Sequence, residues 1–305
     1  MVIKYDDSRG ISSQSIREML KIRAFEVRES PEDLGYSYVK DWPKLPAGWK
    51  LGPVASVAVD SAGGYYLFHR GKESPPLQCY NREGELITSW GEGLFTRPHG
   101  VQCDENNNVW LVDDRAHVLY LYSPDGTLLK TFGTKGVPGR DGSHFFKPTD
   151  IAWSQENFFV SDGYGNKRVA KFDRDFNYMG EWGHEGLDKG EFLLPHGICV
   201  GGDGLVYVAD RVNWRVQIFS PGGKYVKEWT HIGKPETMVY ASDGFYYTCL
   251  AVHNRVVKLD SDGNVVGWFE DAEHFTHAHN LAVANNGDIL LAQTYARTAS
   301  LLIRK

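Results

Sequence analysis

The sequence contains no run of 18 or more apolar residues, so no membrane-spanning helix is expected. Its opening stretch, MVIKYDDSRGISSQS, lacks the apolar segment of a secretory signal, and none is expected there. Cysteine is scarce. Cys79, Cys103, Cys199 and Cys249 stand far apart and show no zinc-ligand spacing. They read as small apolar residues buried in strands, and a reducing cytoplasm is the compartment that fits. There is no excess of positive charge: 33 Lys and Arg face 39 Asp and Glu, for a net charge of −6. The two signs are interspersed, which argues against a nucleic-acid or anionic-membrane surface. What remains is an ordinary soluble composition, 42% hydrophobic and 24% charged. The length of 305 residues suits a single all-β repeat unit.

Repeats are plainly present. The segments RPHGVQCDENNNVWLVDDRAHVLYLYSPDGTLLKTFG (97–133), KPTDIAWSQENFFVSDGYGNKRVAKFDRDFNYMGEWG (147–183), LPHGICVGGDGLVYVADRVNWRVQIFSPGGKYVKEW (194–229) and KPETMVYASDGFYYTCLAVHNRVVKLDSDGNVVGWF (234–269) are copies of one pattern. Divergent copies flank them at about 52–91 and 277–305. Each holds short alternating runs broken by NNN, GDG, SPDG or SDG, which read as strands and hairpin turns. Four strands per unit is the blade of a β-propeller. The last copy stops after three strands, and YSYVKDW at 36–42 resembles the outer strand KYVKEW at 224–229. An N-terminal strand that completes the C-terminal blade closes the ring and removes two sheet edges. The reading is therefore an all-β, six-bladed propeller over 36–305, preceded by a 1–35 extension with a short amphipathic helix over 12–25.

Aligned on their innermost strands, the six units hold Ala55, His99, Thr149, His196, Glu236 and His279 at the entry position. The turn centre falls eight residues later, at Gly63, Asn107, Asn157, Gly204, Gly244 and Gly287. Histidine thus occupies alternate blades, which in a six-fold ring sit about 120° apart. Three imidazoles would converge on the channel axis as the base of a tetrahedral metal site with one open position. Zinc suits such a set, and iron, cobalt or nickel would also fit. Register selects His279 over its neighbours His277 and His274, either of which could replace it. His69, His117, His144, His184, His231 and His253 share no slot and read as structural or surface residues.

Fifteen residues beyond the entry lie Arg70, Asp114, Tyr164, Arg211, Ala251 and Thr294. In a hairpin centred midway these residues face the entry slot, so Arg70, Tyr164 and Arg211 should surround the metal. Arginine suits a substrate carboxylate. A tyrosine beside cations would have a lowered pKa and could act as a base. Asp114 and Glu236 could support a ligand histidine or serve as arginine counter-ions. Asp162 and Asp210, the aspartates of VSDG and VADR, are expected to bond local backbone.

Over roughly residues 36–305 the segments GEGLFTRPHG, FKPTDIAW, VSDGYGNKRV, LPHGICV and VADRVNWRVQIF resemble the peptidyl-α-hydroxyglycine α-amidating lyase family, in particular its bacterial NHL-repeat relatives. The resemblance implies zinc on His99, His196 and His279, a catalytic tyrosine at Tyr164, and active-site arginines at Arg70 and Arg211. It also implies a reaction in which an N-acyl-α-hydroxyglycine is split into an amide and glyoxylate. Where the family carries an Asp that helps to hold a structural calcium, this chain has Asn280, and calcium is not expected. The cysteine pairs of the secreted enzymes are missing. The expected partner is a small, carboxylate-bearing molecule. A zinc hydrolase using the same site, a calcium-type lactonase and a non-catalytic binding propeller are the other readings.

Overall fold

A computed structural model describes residues 32–271 and 273–304. The helix expected over 12–25 lies outside the described residues. Six antiparallel sheets follow one another along the chain and form the blades of a closed ring. Blade 2 is typical, with strands Pro98–Cys103, Val109–Asp113, Val118–Tyr122 and Leu128–Phe132 running from the channel outward.

The period-2 alternation of each strand explains why the blades stack. In Val109–Asp113, Val109 and Leu111 pack with Phe68, Leu77 and Cys79 of blade 1, while Trp110 and Val112 pack with Ile151, Phe158 and Val160 of blade 3. Both faces are therefore buried, as befits a nearly continuous apolar run. Six such clusters fill the six gaps between neighbouring blades. The four cysteines belong to these packed strands and are all free.

Ring closure follows the expected route. Tyr36–Tyr38 pairs antiparallel with Thr298–Arg304, with Ser37 opposite Ile303, and completes blade 6. The chain already joins the ring before residue 36. Glu32–Asp33 adds a parallel fifth strand to blade 5 beside Val265–Glu270. Gly267 permits this approach, because a Cβ there would lie 2.7 Å from Glu32 O.

The hairpin turns differ from expectation in one blade. Gly63, Asn107, Gly204, Gly244 and Gly287 all have positive φ at their turns. Asn157 does not: it opens the strand Asn157–Asp162, and the turn is closed by Ser154 instead. Blade 3 pairs Asp150 with Ser161, whereas blade 2 pairs Gly100 with Val112, so its hairpin is one residue shorter.

Candidate metal centre

The entry residues Ala55, His99, His196 and His279 each sit at a break in strand register, between Val54/Ser56, Pro98/Gly100, Pro195/Gly197 and Ala278/Asn280. A bulge of this kind re-aims a side chain at the rim of a sheet. The three imidazoles are thereby brought together on the channel axis. Their ring centroids lie 4.9 to 5.3 Å apart, and one ring nitrogen from each falls within 4.8 Å of the others.

The intervening blades orient the rings through backbone. His99 Nδ1 donates to Thr149 O at 2.8 Å, His196 Nδ1 to Glu236 O at 2.6 Å, and His279 Nδ1 to Ala55 O at 2.7 Å. The acceptors are the three entry residues that are not histidine. Their side chains differ because only their carbonyls are used. With Nδ1 protonated and spoken for, each Nε2 carries a lone pair toward the axis, the tautomer a metal requires. The glycine of the PHG motif is part of the same device: a Cβ on Gly100 would stand 2.9 Å from Thr149 O.

The Tyr164 hydroxyl lies 3.1 Å from His99 Nε2 and 3.2 Å from His196 Nε2. A phenol oxygen and two imidazole nitrogens therefore meet in the channel mouth. Tyr164 follows Gly163, whose Cβ would meet Pro195 O at 1.9 Å, so only glycine fits. The deletion in the blade 3 turn is compensated here. Tyr164 N reaches Lys147 O, as Arg70 N reaches Pro53 O and Arg211 N reaches Leu194 O.

These bonds correct the expected pairing. Residues fifteen beyond the entry do not face it, because the hairpins of blades 1, 2, 4 and 6 are centred on the seventh residue after the entry position. Arg70 and Arg211 instead sit one residue past the strand and Tyr164 two, each bonded to the residue two before the entry, and still line the mouth. Arg70 Nε donates to Pro98 O at 2.8 Å, while its buried Nη2 has no partner among the described residues. Arg211 Nε stands 2.7 Å from Glu236 Oε2 as an ion pair without hydrogen-bond alignment. Ala251 and Thr294 complete this slot; Thr294 Oγ1 bonds His277 Nδ1 at 2.7 Å.

The two acids act as counter-ions. Glu236 pairs with Arg211, and Asp114 pairs at 2.6 Å with Arg97. Arg97 and Lys234 were not singled out in the sequence, yet both stand two residues before the entry slot and border the mouth, as does His277, the rival ligand, which lies outside the cluster formed by His99, His196 and His279. The same register count would have found them. Of the rival histidines, His274 pairs with Asp271 and stacks on Tyr38, away from the cluster. Asn280 Oδ1 accepts from Val57 N at 3.0 Å, and its amide donates to Thr237 Oγ1.

Asp162 and Asp210 hold the loops that precede the site. Asp162 accepts from Phe146 N and buried Arg168; Asp210 accepts from Leu193 N, Leu194 N and buried Arg215. Asp113 does the same for Thr96 N and Arg97 N. His69 occupies this slot in blade 1 and accepts from Gly52 N, and Gln293 occupies it in blade 6 and accepts from Thr276 N. His69 was expected to share no slot. It does share one, with a different residue type performing the same bond.

Electrostatics favour neutral imidazoles. Burial holds His99, His196 and His279 well below the ordinary histidine value, aided by neighbouring histidines and by Arg70 or Arg211. Burial also lowers Lys234 and raises Glu236, and it lifts Asp114 to about 6 against the pull of Arg97 and Arg70. The Tyr164 phenol is pushed up by burial, although Arg211, Arg97 and Arg70 all pull it down. The expected net lowering is therefore not met by the arginines alone.

A family model described as NHL repeat matches residues 192–219, the first three strands of blade 4. The chain is similar to peptidyl-glycine alpha-amidating monooxygenase A of Xenopus laevis, 30% identical over 300 residues, which cover 84% of this chain and 32% of that protein. It thus spans about a third of the length of the monooxygenases it matches. It is also similar to peptidyl-alpha-hydroxyglycine alpha-amidating lyase 2 of Drosophila melanogaster, 30% identical over 296 residues, covering 83% of this chain and 70% of that one. Among solved structures, a streptogramin B lyase superposes with a TM-score of 0.67 at 10% identity, covering 90% of this chain and all of the other, a likeness of fold alone.

Proposed function

This chain belongs to the peptidyl-α-hydroxyglycine α-amidating lyase family, and from that premise we propose that it is a metal-dependent lyase that splits an N-acyl-α-hydroxyglycine into an amide and glyoxylate. One observation carries the reading: the Tyr164 oxygen lies within hydrogen-bond distance of Nε2 on two of three convergent histidines.

His99, His196 and His279 would hold the ion, because their buried, neutral rings present three lone pairs to one point. Zinc is the ion this all-nitrogen set suits best, and when bound it supplies a Lewis acid for a substrate oxygen. Arg70 has a buried Nη2 in need of a partner, and a substrate carboxylate satisfies it. Tyr164 takes the proton of the α-hydroxyl as its phenolate, a form that burial opposes, that Arg211, Arg97 and Arg70 favour, and that a cation held by the three histidines would favour further. The electron pair left on the hydroxyl oxygen then forms the second bond of the glyoxylate carbonyl, the C–N bond breaks, and its electron pair leaves with the amide nitrogen. Tyr164 returns the proton to that nitrogen, so the phenolate is regenerated and atoms balance. Arg211, already paired with Glu236, offers its remaining donors to the phenolate.

The test is glyoxylate release from α-hydroxyhippurate by metal-loaded protein. Glyoxylate and benzamide in equal amounts are expected. Zinc-loaded protein that releases neither would overturn the assignment of this reaction.

A further inference from the structure

Tyr295 is the most exposed large hydrophobic side chain among the described residues, at 68%. It is not at a loop tip remote from the site. Its ring stacks on His277 with centroids 4.1 Å apart and planes at 27°. His277 in turn lies 6.2 Å from His279, with planes at 22°. Three rings, each tilted less than 30° from its neighbour, thus step outward from the candidate metal ligand to the rim of the mouth.

The middle ring is clamped. His277 Nδ1 is 2.7 Å from Thr294 Oγ1, its backbone N–H donates to Asn254 Oδ1 at 2.9 Å, and its carbonyl accepts from Thr294 N. The Asn254 bond ties the loop after the second strand of blade 5 to this corner. The Tyr295 ring therefore presents an exposed aromatic surface beside a mouth that also carries Arg70, Arg97, Arg211 and Lys234. Covering that surface with a planar apolar group removes it from water.

We infer that Tyr295, backed by His277, is the platform for an aromatic acyl group on the substrate, so that aroyl-type compounds are preferred over small aliphatic ones. This rests on the reaction proposed above for the position of the carboxylate end. With the carboxylate at Arg70 of blade 1 and the hydroxyl at Tyr164 of blade 3, the acyl group is left the part of the mouth beside blade 6, which adjoins blade 1 and lies across the ring from blade 3. The occupant is set by continuity of the ring stack with the ligand cluster. Tyr295 acts in binding and does not touch the reacting atoms.

The experiment uses two glycine conjugates that lack the hydroxyl and so are not turned over: hippurate, with a benzoyl group, and N-acetylglycine. Binding to zinc-loaded, full-length protein is measured by titration calorimetry. Hippurate is expected to bind about fivefold or more tightly than N-acetylglycine, the size of one aromatic stacking contact. Tyr295→Ala should reduce that ratio to within about twofold, and Tyr295→Phe should keep it. Ile87→Ala, an exposed apolar residue on the outer strand of blade 1, serves as the control and should leave the ratio unchanged. Equal binding by the parent protein, no binding of either compound, or a ratio unaffected by Tyr295→Ala would overturn the inference. A preserved ratio without glyoxylate release in the separate assay would leave the platform standing and remove the reaction.

Discussion

His196 gives its Nδ1 proton to the backbone carbonyl of Glu236 across 2.6 Å, while the carboxylate of the same glutamate faces Arg211 at 2.7 Å. One residue thus serves two neighbours with separate atoms. Glu236→Gln keeps the carbonyl and removes the charge. It should retain one bound metal per chain while kcat/KM falls about tenfold, the scale of one lost charge-assisted contact. Metal analysis alongside steady-state kinetics separates the two effects. Loss of metal in this variant would transfer the orienting role from the carbonyl to the carboxylate.

Tyr164→Phe removes the one oxygen that stands between Nε2 of His99 and Nε2 of His196 and leaves the ring. A positioned general base contributes about 10²- to 10⁴-fold. The variant should bind metal as the parent does and lose kcat on that scale. Near-full glyoxylate release would remove Tyr164 from the reaction.

Gly163→Ala tests how Tyr164 is placed. The added Cβ would sit 1.9 Å from the backbone oxygen of Pro195, the residue before His196. Backbone cannot yield as a flexible side chain does, so a loss of about 2 kcal/mol or more in denaturant unfolding is expected. A variant of unchanged stability and activity would show that the Pro195–His196 segment moves freely.

Much of this arrangement is legible in the sequence because a propeller repeats one register. Counting from the entry strand was enough to bring His99, His196 and His279 to one slot, since bulges recur at the same place in blades 2, 4 and 6. The count failed locally in blade 3, where a shorter turn is offset by an extra residue beside Gly163, and periodicity cannot reveal paired compensations. It also missed function carried by backbone. Nothing in the side chains of Ala55, Thr149 and Glu236 signals three carbonyls that accept from histidine. His69 was passed over because its slot is defined by a bond, not by a residue type, and blades 2, 3 and 4 make that bond with aspartate.

His69 also sets a pH dependence. Its fully buried ring is held down to about 4 by burial, against an unfolded value near 6.5. The unfolded chain therefore binds more protons below pH ~6.5. The stability contributed by the neutral ring is complete above that pH and declines as pH falls toward 4, by about 1.4 kcal/mol per unit. His69→Gln substitutes the residue that blade 6 uses at the same slot. The stability advantage of the parent over this variant should shrink as pH drops from 7 to 4 in urea unfolding. A difference independent of pH would show that the ring does not titrate on unfolding.

The most direct measurement is a calorimetric titration of zinc into chelator-stripped protein. One ion per chain is expected, with tight binding abolished separately in His99→Ala, His196→Ala and His279→Ala while each variant keeps its β-sheet circular dichroism. Absence of binding in the parent, or undiminished binding in any of the three folded variants, would contradict a shared centre on the propeller axis.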